Sequence, residues 1–111
     1  MAKKPDLNKL LAKWQRRLRL QDWDITVRWV DKDEFANDTA VGQNLLSPKN
    51  KEAVIEILDP DEITNDFPRM KDVELTLIHE LVHCIIHRKV FKGDPDGEAV
   101  IEHLAKAFRA L

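Results

Sequence analysis

The chain has 111 residues, of which 43% are hydrophobic, so residues 1–111 are long enough for a single domain but not for two. Its 18 basic and 20 acidic residues give a formal net charge of −2, which gives no reason to expect a nucleic-acid partner. The single cysteine, Cys84, excludes an internal disulfide and a multi-cysteine zinc site, and it indicates a reducing compartment. Any metal ion would therefore be held by histidine and carboxylate side chains.

The first predicted element is an amphipathic helix over residues 6–20, where leucines and Trp14 recur at helical spacing. Five basic residues lie on its other face: Lys9, Lys13, Arg16, Arg17 and Arg19. A solvated helix surface is favoured for this stripe over a docking site for an acidic partner or nucleic acid. The frequent charges do not match a signal-peptide core, and no stretch approaches the roughly 18 apolar residues of a membrane span. We therefore expect a cytoplasmic protein with no membrane partner.

Three short strands are predicted next. Residues 23–29 alternate between apolar and polar side chains, which is typical of a strand with one buried face. Residues 39–46 and 52–58 are predicted to form a hairpin around the turn at residues 47–50. Two interpretations of residues 53–58 stay open: an edge strand that pairs with an extended peptide substrate, or an internal strand.

Two helices are predicted to complete the chain. Residues 59–68 carry two prolines, which end regular structure before a long helix over residues 69–90. After a turn at residues 92–95, Pro95 opens a final helix that extends to about residue 110. The predicted apolar side of this last helix consists of Val100, Ile101, Leu104, Ala107, Phe108 and Leu111. The order predicts an α+β fold in which the helices pack on one small sheet.

The long helix carries the sequence His79-Glu80-Leu81-Val82-His83. Residues four apart lie on one face of a helix, so the two imidazoles can bind a single metal ion, and zinc suits that geometry. Glu80 can act as general base on a zinc-bound water. Apolar residues cover most of the remaining circumference, which predicts a buried helix in which ionisable groups are costly unless paired or metal-bound. A surface stripe that happens to contain histidines is the less favoured alternative.

A catalytic zinc ion needs a third protein ligand. His87 is a poor candidate, because two helical turns place it about 12 Å from His79. Glu98 is favoured, and Glu102, one turn further on, is predicted to accept a hydrogen bond from a ligand imidazole and so fix its tautomer. The alternatives are His103 as the ligand, or a solvated helix face on which both glutamates make ordinary surface pairs.

These two helices resemble those of the gluzincin metallopeptidases, particularly the single-domain minigluzincins and the peptidase domain of the ImmA/IrrE family. The resemblance covers residues 23–111 in element order, but specific residues match only in the motif at 79–83 and in Glu98-Ala99-Val100-Ile101-Glu102. It implies a minimal zincin-like core with an edge strand over the metal helix. It also implies zinc ligands at His79, His83 and Glu98, with Glu80 as the catalytic base. The chain has no tyrosine to polarise the scissile carbonyl, and the candidate substitutes are His87, Arg88 and His103.

The sequence therefore predicts a zinc-dependent metallopeptidase that hydrolyses a peptide or protein substrate. A second hypothesis is a regulatory or interaction protein that keeps zinc for stability or sensing, which the missing tyrosine favours. A third is a metal-free helical interaction domain that carries the motif by chance. The three tryptophans and Cys84 are interpreted as core residues.

Overall fold

The computed structural model describes residues 4–31, 33, 41–62, 72–86 and 95–111. These residues form helices α1 (Leu7–Arg17), α2 (Val73–Ile85) and α3 (Pro95–Ala110) and strands β1 (Asp24–Val30), β2 (Gly42–Ser47) and β3 (Glu52–Leu58). The predicted α+β class and the order of elements are confirmed. The predicted features at residues 39–40, 63–71 and 87–94 lie outside the described residues. No helix in the described part of the chain has the length and apolar character needed to cross a membrane.

Helix α1 is capped by Asp6, whose carboxylate accepts hydrogen bonds from the backbone N–H groups of the first turn. The helix ends at Arg17, three residues earlier than the sequence predicted. Leu18 caps it, and Arg19 then adopts a φ of 60°, a left-handed conformation that commonly terminates a helix. The chain therefore turns into β1 without a long connection.

The sheet has the order β1-β3-β2, with β3 parallel to β1 and antiparallel to β2. The predicted hairpin is confirmed, and a short 3₁₀ turn, Pro48–Asn50, joins its strands. The edge-strand interpretation of residues 53–58 is wrong, because β3 is the central strand. Side chains on both of its faces are buried, as Ile55 and Ile57 are on one and Glu56 and Leu58 on the other. A strand covered on both faces belongs in the middle of a sheet.

Helix α2 is the centre of the core. Its N-cap is Asp72, whose Oδ1 accepts a hydrogen bond from the Leu75 N–H at 3.1 Å. Its fully buried residues are Leu77, Ile78, Leu81 and Val82, which pack against α1, α3 and the sheet. The prediction of a buried helix is confirmed, although Ile85 in the last turn is 44% exposed.

Trp14 links α1 to the first turn of α2 through a hydrogen bond. Its indole is buried, and its Nε1–H donates to Glu74 Oε2 at 2.9 Å. Lys13 Nζ lies 3.1 Å from the same oxygen, and Lys13 and Arg17 lie over the indole ring. Burial raises the pKa of Glu74, but the hydrogen bonds from Trp14 and Lys13 outweigh it and leave the pKa below its ordinary value.

The predicted apolar side of α3 is confirmed in part, since Ile101 is buried and Leu104 and Phe108 pack against the core. Ile101 and Ala105 are fully buried, whereas Val100 is 47% and Leu111 is 96% exposed. Periodicity alone placed all the large apolar residues on the buried side. The same helix brings Glu98 against the histidines of α2, so its packing positions the site described next.

Candidate metal centre

The two histidines of α2 lie one helical turn apart on the same face, as their spacing predicts. The ring centroids of His79 and His83 are 5.2 Å apart, and the rings are tilted by 59°. Their side chains are 19% and 15% exposed, so both reach the surface while most of each ring is buried. Both imidazoles are therefore partly accessible to solvent from this face of α2.

Helix α3 contributes a carboxylate that reaches both rings. Glu98 Oε2 lies 2.9 Å from His79 Nε2, and Glu98 Oε1 lies 3.4 Å from His83 Nε2. One ligand atom from each of the three side chains can be chosen so that all lie within 4.8 Å of one another. Two ligands of a tetrahedral zinc ion lie about 3.3 Å apart, given bonds of about 2.0–2.1 Å. The three predicted ligands are thus close to zinc-binding spacing, and they are the only such group among the described residues.

Glu102 lies on the other side of the first imidazole, where the sequence predicted it. Its Oε1 is 3.3 Å from His79 Nδ1, while Nε2 of the same ring faces Glu98. A carboxylate at Nδ1 favours the tautomer that donates from Nδ1, which leaves the Nε2 lone pair for a metal ion. His103 is exposed and lies outside the ligand group. His87 and Arg88 lie outside the described residues.

The two helices that carry the ligands are antiparallel. Glu98, near the start of α3, faces the end of α2, and Arg109, in the last turn of α3, lies 2.5 Å from the Asp72 carboxylate at the start of α2. The Asp72 side chain therefore caps α2 with one oxygen and binds α3 with the other. Sequence reasoning missed this pair, because the partners are 37 residues apart and each suits an ordinary surface position.

Glu80 points away from solvent and is only 7% exposed. Burial, together with the negative charge of Glu98, raises its pKa from 4.5 to about 8. Strand β2 covers this carboxyl at Gly42. A Cβ atom added there would lie 2.7 Å from Thr76 Cγ2 and 3.3 Å from Glu80 Oε2. Only a glycine lets the strand approach α2 so closely.

A second residue of β2 contacts the same position on α2. The Asn44 Nδ2 amide donates to the Glu80 backbone carbonyl at 2.8 Å and lies 3.7 Å from Cys84 Sγ. Cys84 is itself buried, and burial raises its thiol pKa to about 11, which fits the predicted packing role. Sequence reasoning missed both Gly42 and Asn44. A glycine inside a predicted strand is the signal that could have indicated a close backbone approach.

No protein-family model matches the chain, and no curated protein or solved structure matches it either. The chain forms an α+β domain with a candidate His-His-Glu metal centre between two antiparallel helices. The gluzincin resemblance continues to rest on the sequence pattern alone.

Proposed function

We propose that the protein is a zinc-dependent hydrolase that cleaves peptide bonds. The observation that carries the proposal is the convergence of His79, His83 and Glu98 from two helices at ligand spacing. Two imidazoles and one carboxylate are a donor set of catalytic zinc sites, in which the fourth position is left for water or substrate. Zinc held there supplies Lewis acidity and lowers the pKa of water.

Glu80 is the proposed general base. Its position beside His79 in the helix brings a carboxyl next to the ligand group, and its pKa of about 8 keeps it mostly protonated at neutral pH without a metal ion. A divalent cation nearby favours the charged form and opposes both causes of the raised pKa. The ionised carboxylate then accepts a proton from the attacking water and returns it to the leaving amine.

The proposed substrate is a peptide or a protein, and the proposed compartment is the cytoplasm. The resemblance of α2 and α3 to gluzincin helices supports a peptidase, as does the position of β2, an edge strand that lies against α2. The zincin-like character of the fold belongs to the same proposal.

Metal content is the first test. Protein purified without added metal should contain about one zinc ion per chain. Glu98→Ala should lose the ion, and His103→Ala, an exposed histidine of the same helix, should keep it. Absence of zinc from the wild type, even after zinc is added back, would refute the metal centre. In the zinc-loaded protein, Glu80→Gln should keep the ion and lose hydrolysis, and unchanged hydrolysis would refute the role of Glu80 as base.

A second candidate function is a zinc-binding regulatory or interaction protein without peptidase activity. The specific observation in its favour is that the chain contains no tyrosine to polarise a scissile carbonyl. Because the candidate ligands join α2 to α3, zinc would then act as a structural link between these helices. Zinc removal that unfolds the protein, together with a broad peptide library that stays uncleaved, would favour this candidate over the peptidase.

A further inference from the structure

Strand β2 contacts Glu80 at two separate points. The Asn44 amide donates to the Glu80 backbone carbonyl at 2.8 Å. Two residues earlier on the same face of the strand, Gly42 lies against the Glu80 side chain, since a Cβ there would be 3.3 Å from Oε2. One contact restrains the backbone of Glu80 and the other restrains its carboxyl group, so the edge strand fixes both ends of this side chain.

Asn44 makes this contact at a cost to the fold. Its Oδ1 atom is buried and has no hydrogen-bond partner among the described residues. A buried acceptor without a donor is destabilising, and an apolar side chain of the same shape avoids that penalty. The neighbouring inward-facing residue of β2, Leu46, is apolar and packs against the core. Stability alone would therefore favour a leucine at position 44 as well.

We infer that Asn44 is a positioning residue: through its hydrogen bond to the Glu80 carbonyl, it holds the Glu80 carboxyl in a fixed place relative to the ligand group of α2 and α3. The loss of activity predicted for Asn44 variants rests on the proposed peptidase function. The hydrogen bond between Asn44 and the Glu80 carbonyl does not depend on that function.

Metal binding and carboxyl positioning are carried by different elements. All three candidate zinc ligands lie on α2 and α3, and none lies on β2. Loss of the Asn44 amide therefore leaves the ligand set intact, and it removes the contacts with the Glu80 carbonyl and with the buried Cys84 thiol. A displacement of a reacting group by about 1 Å can lower a rate about 100-fold, so a single hydrogen bond can matter at this distance from the chemistry.

The decisive variant is Asn44→Leu, with Gln43→Ala as the matched control. Gln43 lies on the same strand but faces the other side of the sheet, where its Nε2 donates to Glu56. We expect Asn44→Leu to unfold at a temperature no lower than the wild type and to bind zinc with an affinity within about threefold. Its kcat should fall by about 10- to 100-fold with little change in KM, whereas Gln43→Ala should keep wild-type kcat.

A second measurement uses the zinc-free protein and is independent of hydrolysis. The mobility of the Glu80 side chain is measured by NMR relaxation, with its signals assigned by their loss in Glu80→Gln. We expect a lower order parameter in Asn44→Leu than in the wild type, because a side chain that is no longer restrained samples more conformations. In Gln43→Ala the order parameter should stay at the wild-type value.

The outcomes separate the two proposals. A wild-type protein that cleaves no peptide refutes the peptidase, while a lower Glu80 order parameter in Asn44→Leu alone still supports the positioning role. An unchanged order parameter together with unchanged kcat refutes the positioning role. If Asn44→Leu and the smaller Asn44→Ala both unfold at clearly lower temperatures than the wild type, the amide is an ordinary structural bond and the inference is wrong.

Discussion

Replacing Glu80 with glutamine should change how the stability of the zinc-free protein depends on pH. The pKa of Glu80 is about 8 in the folded protein, against an ordinary value of 4.5. Between these two values the folded state keeps a proton that the unfolded state releases, so the free energy of unfolding falls as pH rises. This loss is absent below about pH 4.5 and complete above about pH 8. Glutamine cannot ionise, and Glu80→Gln should therefore escape it.

The two pKa values set the size of the effect. Their difference corresponds to roughly 5 kcal/mol, at about 1.4 kcal/mol for each pKa unit. This figure is an upper bound, because a buried carboxylate draws water and neighbouring dipoles towards itself. We expect Glu80→Gln to be roughly 2–5 kcal/mol more stable than the wild type at pH 8.5, and nearly equal to it at pH 4.5.

Urea denaturation followed by far-ultraviolet circular dichroism, on chelator-treated protein at several pH values from 4.5 to 8.5, measures this difference. Other titrating groups of the site are present in both proteins, so most of their contribution cancels in the comparison. Glu52→Gln, which removes an exposed carboxyl at the start of β3, is the control and should not reproduce the trend. Parallel stability curves for wild type and Glu80→Gln would refute the reasoning, and so would a variant that is less stable at pH 8.5.

Three further predictions concern the elements that support the site. Glu102→Ala should keep the three candidate zinc ligands but weaken zinc affinity by about 10- to 100-fold, measured by competition with a chromophoric chelator. Equal affinity would exclude a role of Glu102 in orienting the His79 imidazole. Arg109→Ala should lower the free energy of unfolding by about 0.5–1 kcal/mol, because its ion pair with Asp72 is partly exposed. Asp72→Ala should lower it by about 1–2 kcal/mol, because this variant also loses the N-cap of α2. Gly42→Ala should cost about 1–3 kcal/mol through its clash with Thr76 Cγ2. Adding Thr76→Ser, which removes that methyl group, should restore most of the loss, and no recovery would place the clash elsewhere.

The candidate ligands could be predicted because they depend on local rules. Four-residue spacing on a helix determines which side chains share a face, and this brought His79 and His83 together. Glu98 and Glu102 follow within about 20 residues, on a helix that lies antiparallel to α2. The two histidines and the two glutamates thus lie within about two dozen residues of chain, and helical periodicity predicts which side chains share a face over that length.

The parts that could not be predicted depend on contacts between distant segments. Which strand lies at the centre of the sheet is decided by the parallel pairing of β1 with β3, and the pattern of apolar residues in β3 allowed either position. On α3, Ala105 is buried while Val100 is 47% exposed, and only the packing of the helix on the core decides between them. The approach of Asn44 to Glu80 spans 36 residues and has no periodic signature.

The environment of Trp14 gives the molecule an internal optical reporter. Its indole is 2% exposed, whereas Trp23 and Trp29 are only partly buried. A buried indole emits at a shorter wavelength than an indole exposed to water. The emission of Trp14 should also respond to local displacement, because Lys13 and Arg17 lie over its ring and Glu74 accepts a hydrogen bond from its Nε1–H. With Trp23 and Trp29 replaced by phenylalanine, the fluorescence of the remaining indole would follow the separation of α1 from α2. An early red shift, ahead of the loss of helical signal, would identify α1 as the first element to detach.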